Sequence, residues 1–132
     1  MVPVTSALVV LFGALLTALA INATRQRIAA ARSRGDAARD AAKEAINRAS
    51  RAHGNTLEHA LPLLLVLLCA ELNGGTRPWL VTLGALFVAA RLFYVYGMIT
   101  RPVSPPMRFG AGLTYVVEIV ALSYLTSLLC AF

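Results

Sequence analysis

The sequence predicts an all-helical integral membrane protein, an up-down-up-down bundle of four helices. Three observations lead to this prediction. Apolar residues make up 58% of the 132 residues and charged residues only 14%, whereas a soluble domain carries about 25% charged residues. The apolar residues fall into four separate stretches, and most basic residues lie between the first two of them. This composition argues against a soluble globular enzyme and against a disordered chain.

The four apolar stretches reach, with their flanks, the length needed to cross a bilayer core of about 30 Å. They cover residues 2–23, 60–70 with the mixed segment 52–59 before it, 78–99 and 109–132. All four must be helices, because an open strand cannot satisfy its backbone in lipid and four segments are too few for a barrel. The predicted helices, all in one domain over residues 1–132, cover residues 2–34, 37–72, 77–100 and 106–131.

The loops predict how the helices are oriented. Eight of the twelve Lys and Arg residues lie from Arg25 to Arg51, the third loop adds Arg101 and Arg108, and the second loop holds only Arg77. Since basic loops face the cytoplasm, we expect loops 1–2 and 3–4 on the cytoplasmic side and both termini on the opposite side. The net charge of +6 therefore reflects membrane topology and not a nucleic-acid partner.

The first loop need not be a flexible linker, because it is rich in Ala and Arg, which favour helix. Helices one and two are therefore expected to project beyond the membrane and to turn near Gly35 and Asp36. Gly35 suits the C-terminal cap of the first helix, and Asp36 suits the N-terminal cap of the second.

A polar stripe runs along the second helix into the predicted span. At about 100° per residue its members fall within an arc of about 80°. They are Glu44, Arg48, Arg51, Asn55, Glu58 and Pro62. The arginines could bind carboxylates, Glu58 could accept from an ammonium group, and Asn55 can both donate and accept. The stripe thus predicts a pocket for a zwitterionic ligand entering from the cytoplasm, the alternative being a surface stripe with ion pairs that fix helix register.

The third helix brings further polar residues toward this stripe. Gly84, Arg91, Tyr94 and Met98 share one of its faces. Ionisable groups inside a span are costly and are therefore functional candidates. Arg91 also offers Glu58 a buried partner, a pair that would be structural.

The start of the fourth helix concentrates positive potential. Pro105 and Pro106 suit a loop leading into the first turn, which places Arg108 where free N–H groups already favour an anion. Such a site suits a phosphate, a carboxylate or a thiolate, and could lower the pKa of a bound thiol from its ordinary value of about 8.5. The alternative is an arginine whose head extends to the lipid headgroups.

The remaining ionisable residues give weaker signals. His53 and His59 have no partners at zinc-type spacing, so no metal is predicted. Cys69 and Cys130 lie in apolar runs and are expected to be small buried apolar residues, the alternative being a disulfide between them. Glu118 lies inside the fourth span and is expected to face the bundle interior or a subunit axis, with a polar partner that the sequence does not identify.

The segment from Arg51 to Glu58, with Pro62 after it, reads R-A-H-x-N-x-x-E-x-x-x-P. It resembles the signature of the MAPEG family, the membrane-associated proteins of eicosanoid and glutathione metabolism. The resemblance continues through residues 71–74, through 90–92 with Tyr94, Tyr96 and Gly97, and through 106–108. It covers the chain from about residue 25 to residue 108. The short loops indicate a small bacterial member similar to the microsomal glutathione transferases, in the inner membrane.

The resemblance implies a homotrimer that binds glutathione, its co-substrate, between neighbouring subunits at the cytoplasmic side. Together with the polar stripe it gives as glutathione-binding residues Arg25, Arg27, Arg48, Arg51, Asn55, Glu58 and Tyr94. Arg108 would be the catalytic residue, stabilising the thiolate. Arg91 would form a structural ion pair or support the binding residues without touching glutathione, and His53 would support them in the same way or lie at a subunit interface. The implied activity is that of a detoxifying glutathione transferase or peroxidase, acting on a small lipophilic electrophile or hydroperoxide from the bilayer.

Departures from the family pattern leave alternatives open. Gly54 replaces a basic residue found in some members, Met98 stands where many have Tyr, and Phe109 lacks the hydroxyl of prostaglandin E synthase, which disfavours that isomerase activity. A non-catalytic lipid-binding or scaffold member is therefore a second hypothesis. A small multidrug transporter is the third, although the first helix has none of the acidic residues such transporters use. The choice between transferase and peroxidase stays open, as does the second substrate.

Overall fold

The computed structural model of the chain describes residues 2–101 and 103–130. It contains four α-helices: α1 spans Pro3–Ala31, α2 Asp36–Leu72, α3 Arg77–Thr100 and α4 Pro105–Leu129. Each helix is long and apolar enough to cross a membrane, and the described part of the chain forms no strand. The predicted all-helical fold is therefore confirmed for the described residues, with four helices long and apolar enough to span a membrane.

The observed helix bounds differ slightly from the predicted ones. The first helix ends at Ala31, three residues before the predicted residue 34, and α2 begins at Asp36 directly after Gly35. Gly35 has a φ of +87°, a left-handed conformation that glycine adopts without steric cost. Gly35 is the N-cap of α2, and Arg32 is the C-cap of α1. The expected roles of Gly35 as C-cap of the first helix and of Asp36 as N-cap of the second are therefore both wrong. The predicted end of α4 at residue 131 lies outside the described residues.

Prolines mark three helix starts. Pro3 opens α1, Pro78 lies at the first positions of α3, and Pro105 and Pro106 open α4. The missing N–H would have had no helical partner at these positions. By contrast, α2 continues through Pro62 in its interior, so the α2 backbone lacks one N–H donor there.

The α2 and α3 helices form the centre of the bundle. Each of them packs against the other three helices, whereas α1 and α4 do not touch within the described residues. The core includes Phe12 of α1 and Phe87 of α3, whose ring centroids are 5.1 Å apart. Many large apolar side chains on the outside of the bundle are exposed, as expected of helices that face lipid.

Candidate functional site

A pocket of about 400 Å³ lies between α2 and α3, within the range of about 300–1,000 Å³ typical of small-molecule sites. Its lining residues are Ser50, Arg51, Gly54, Asn55, Glu58 and Tyr94. Four of the predicted glutathione-binding residues, Arg51, Asn55, Glu58 and Tyr94, therefore surround one pocket.

Small residues position α2 so that its polar side chains flank the bundle. Ala49, Ala52 and Ala60 are at most 3% exposed and share the face of α2 that packs against its neighbours. Because the small alanine side chains let α2 approach its neighbours closely, the polar side chains that flank this alanine face lie beside α3. Arg51 and Glu58 are exposed on the pocket side, while Tyr94 of α3 is buried behind them.

The buried Arg91 of α3 holds the wall of the pocket together. Its NH1 donates to Asn55 Oδ1 at 3.0 Å and to the Asn55 carbonyl oxygen at 3.3 Å. Its guanidinium carbon lies 4.5 Å from the centroid of the Tyr94 ring, a cation–π contact. Arg91 is 0% exposed, so it fixes two lining residues without lining the pocket itself.

The structure pairs Arg91 with Asn55, whereas Glu58 was the expected partner. Among the described residues Arg91 forms no ion pair, and its Nε and NH2 have no hydrogen-bond partner. The cause is the axial register of α2 against α3, which sets Asn55 opposite Arg91. The carboxylate of Glu58 is thereby left facing the pocket.

The other three predicted glutathione-binding residues do not line this pocket. Arg27 NH2 donates to Ser50 Oγ at 3.4 Å, so Arg27 stands beside a lining residue. Arg48 instead lines a separate cavity of about 80 Å³ between α1 and α2, with its Nε 4.0 Å from Glu44 Oε1. Arg25 is exposed on α1. Within one chain, therefore, Arg48 and Arg25 do not join the pocket.

Arg108 and His53 also lie off the pocket of their own chain. The buried face of α4 consists of Gly110, Thr114, Val117 and Ala121. Since Arg108 precedes Gly110 by two residues, it projects about 200° around the helix from that face, and its side chain is exposed. Its backbone N–H belongs to the first turn and donates to the Ser104 carbonyl oxygen at 3.1 Å. His53 is half-buried.

Sequence reasoning missed a pair of polar residues deeper in the bundle. His59 Nδ1 lies 2.8 Å from Glu118 Oε1, and the His59 ring meets Tyr115 edge-on with centroids 5.5 Å apart. His59 is thus the polar partner that Glu118 lacked in the sequence. The sequence places one ionisable residue of this pair inside each of two predicted spans. Because such residues tend to pair with each other, this feature could have predicted the contact.

Comparison with known proteins gives the family. A family model described as the MAPEG family matches residues 5–128, a range that includes nearly all of the four helices and the whole pocket. No curated protein and no solved structure matches the chain. The family match agrees with the signature in α2 and with the four helices able to span a membrane. The chain is therefore an integral membrane protein that belongs to the MAPEG family.

Proposed function

We propose that this protein is a membrane-bound glutathione transferase or peroxidase, assembled as a homotrimer of up-down-up-down subunits. The observation that carries the proposal is the convergence of Arg51, Asn55, Glu58 and Tyr94 on one pocket. Family membership supports a membrane protein of the glutathione and eicosanoid metabolism kind. The family also has non-catalytic members, so the activity needs its own test.

The lining residues fit the chemistry of glutathione, which carries two carboxylates, one ammonium group, two amides and a thiol. The Arg51 guanidinium suits a carboxylate, which it can bind through two parallel hydrogen bonds. Glu58 suits the ammonium group, and Asn55 can donate to or accept from an amide. Because Arg91 holds Asn55 in place, this part of the pocket is preorganised.

The proposed chemistry needs a thiolate near a positive charge. Bound glutathione supplies the thiolate, which attacks an electrophilic carbon and displaces its leaving group as an anion. With a hydroperoxide, the thiolate attacks the terminal oxygen and the O–O bond breaks. The alcohol leaves after its alkoxide takes up a proton, and a second glutathione converts the sulfenic acid to a disulfide and water. Arg108 at the start of α4 would stabilise it, since a cation and a helix N-terminus both lower the pKa of a thiol. As Arg108 points away from the pocket of its own chain, it would reach the pocket of a neighbouring subunit.

Two contacts between helix ends support the alternating helix directions in the proposal. The end of α2 meets the start of α1 through Glu71 and Thr5. The end of α4 meets the residue before α3, where Thr76 N–H donates to the Tyr124 hydroxyl at 2.7 Å. With the basic loops on the cytoplasmic side, glutathione would enter from the cytoplasm, and the lipophilic substrate from the bacterial inner membrane.

Titration of the purified protein with glutathione tests the proposal, with the ultraviolet absorbance of the thiolate followed across pH. A saturable thiolate signal at neutral pH that disappears in Arg108→Ala and weakens in Glu58→Ala supports it. Arg101→Ala, an exposed arginine in the same loop region, is the matched control. Binding without a thiolate would favour the non-catalytic alternative, and a folded oligomer that binds no glutathione would overturn the proposal.

A further inference from the structure

A second cavity of about 190 Å³ lies in the groove between α2 and α4. We call it the α2–α4 groove. Its lining residues are Glu58, His59, Pro62, Leu63, Val66, Glu118 and Leu122. Glu58 also lines the proposed glutathione pocket. The two cavities therefore adjoin at the Glu58 carboxylate. Beyond Glu58, the α2–α4 groove is lined partly by apolar side chains.

The polar end of the α2–α4 groove is formed by His59 and Glu118, which are paired with each other. With Glu118 ionised, His59 Nδ1 carries a proton and donates to Glu118 Oε1 at 2.8 Å. This bond fixes the imidazole and leaves Nε2 for another partner. The side chains of His59 and Glu118 are 18% and 21% exposed, so a ligand can reach them while most of each side chain is shielded. Two ionisable groups held at this depth are costly without a use.

The groups that a ligand would meet first are mainly hydrogen-bond acceptors. Glu58 and Glu118 both line the groove, and their carboxylate oxygens accept hydrogen bonds. The nearest buried cation, Arg91, interacts with Glu118 only at longer range, donates to Asn55 and does not line the groove. A donor head is therefore complementary to this end of the α2–α4 groove, and a carboxylate head would face like charges.

We propose that the α2–α4 groove binds a lipophilic molecule whose head donates hydrogen bonds, an amine or a hydroxyl compound, and discriminates against lipophilic carboxylates. The head would lie beside the His59–Glu118 pair, where the Glu118 oxygen that His59 does not bind can accept from it. The chain would lie against Leu63, Val66 and Leu122. That this molecule is the second substrate rests on the proposed function, because the α2–α4 groove adjoins the glutathione pocket at Glu58. The binding itself requires no glutathione.

The experiment uses three photoreactive dodecyl probes with the same diazirine tail and an amine, alcohol or carboxylate head. The full-length protein in nanodiscs of neutral phospholipid is labelled without glutathione, and the crosslinked residues are mapped by mass spectrometry. Amine and alcohol probes should label residues 59–66 and 118–122 above the rest of the chain, and the carboxylate probe should not. Glu118→Gln should lower labelling by the amine about tenfold, the loss of one charge-assisted hydrogen bond.

Two variants make the result decisive. Glu44→Gln makes the same chemical change on the exposed part of α2 and should leave labelling unchanged. Leu122→Trp fills the apolar part of the α2–α4 groove and should exclude the amine and alcohol probes, which decides the matter if Glu118→Gln does not fold. Equal labelling by all three heads, or an unlabelled groove because a second copy of the chain covers it, would overturn the proposal. The glutathione titration is a separate measurement, so either proposal can fail alone.

Discussion

The carboxylate of Glu71, one residue before the end of α2, accepts two hydrogen bonds from Thr5, from its N–H at 2.9 Å and from its hydroxyl at 2.6 Å. A third comes from the Val4 N–H at 3.0 Å. The first turn of α1 contains no acidic residue, and Val2 provides no side-chain cap. Glu71 therefore satisfies free N–H groups of another helix and places a negative charge at its positive end.

Replacing Glu71 by Ala should lower the free energy of unfolding by about 2 kcal/mol, because free N–H groups lose a charged acceptor. Thermal or denaturant unfolding in one detergent measures the change. Glu44→Ala is the control, since Glu44 makes only a surface pair with Arg48 and should cost less than about 0.5 kcal/mol. An equal loss of stability in the two variants would contradict the conclusion that Glu71 caps α1.

Gly110 lets α4 approach α3 directly behind Tyr94. A Cβ at Gly110 would meet the Tyr94 backbone nitrogen and would lie 2.6 Å from the Ala90 carbonyl oxygen, closer than real side chains lie. Gly110→Ala should therefore destabilise the protein by about 1–3 kcal/mol and weaken glutathione binding, because Tyr94 lines the pocket.

The matched control is Gly112→Ala on the same helix, where a Cβ would meet nothing within 4 Å. It should leave glutathione binding unchanged and leave stability unchanged or raise it by up to about 1 kcal/mol, through helix propensity. Unfolding curves and glutathione titrations of both variants make the comparison. A Gly112→Ala variant as impaired as Gly110→Ala would show that the close approach of α3 and α4 is not the cause.

Asn55 and Arg91 should be energetically coupled. Asn55→Ala leaves the buried Arg91 guanidinium with only a backbone acceptor. This variant should therefore lose more stability than the Asn55 side-chain contacts themselves contribute, because a buried charge loses its partner. In a double-mutant cycle with Arg91→Met, the two losses should fall short of additivity by about 1–3 kcal/mol. Arg91→Met should also weaken glutathione binding, although Arg91 does not line the pocket.

Arg101→Met is the control for this cycle, because Arg101 is exposed. The stability losses of Arg101→Met and Asn55→Ala should be additive. Additive losses for Asn55 and Arg91 would mean that their hydrogen bond does not contribute to stability.

Arg51 and Arg108 should complement each other between chains if they belong to one composite site. Arg51→Ala and Arg108→Ala chains are each expected to be inactive in forming the thiolate, but their co-assembly should restore sites that take Arg51 from one chain and Arg108 from its neighbour. Random mixing predicts recovery of about a quarter of the sites. The thiolate signal of the co-purified mixed oligomer measures it. No recovery would place both arginines in one chain or remove Arg108 from the site.

The four helices and the buried face of α3 could be predicted because apolar length and helical period determine them. Arg91, Tyr94 and Met98 are indeed all buried. The period does not give the axial register of two helices. A shift of three residues, about 4.5 Å along the axis, decides whether Asn55 or Glu58 stands opposite Arg91.

The position of Arg48 shows a further limit of sequence reasoning. Arg48 and Arg51 share the predicted polar stripe, yet Arg48 lines a different cavity, with Asn22 and Gln26 of α1. A face of one helix does not specify which neighbour covers it. For the same reason the contact between His59 and Glu118 depends on how α4 is rotated against α2, which neither segment encodes alone.

Glu58 lines two cavities at once, and one carboxylate has a limited number of lone pairs. A glutathione ammonium group and an amine in the α2–α4 groove would therefore compete for the same oxygens. Such antagonism has to be reciprocal: the factor by which the amine raises the dissociation constant of glutathione equals the factor by which glutathione raises that of the amine. A hydroxyl compound, which carries no charge, would escape most of this penalty and leave the two ligands nearly independent.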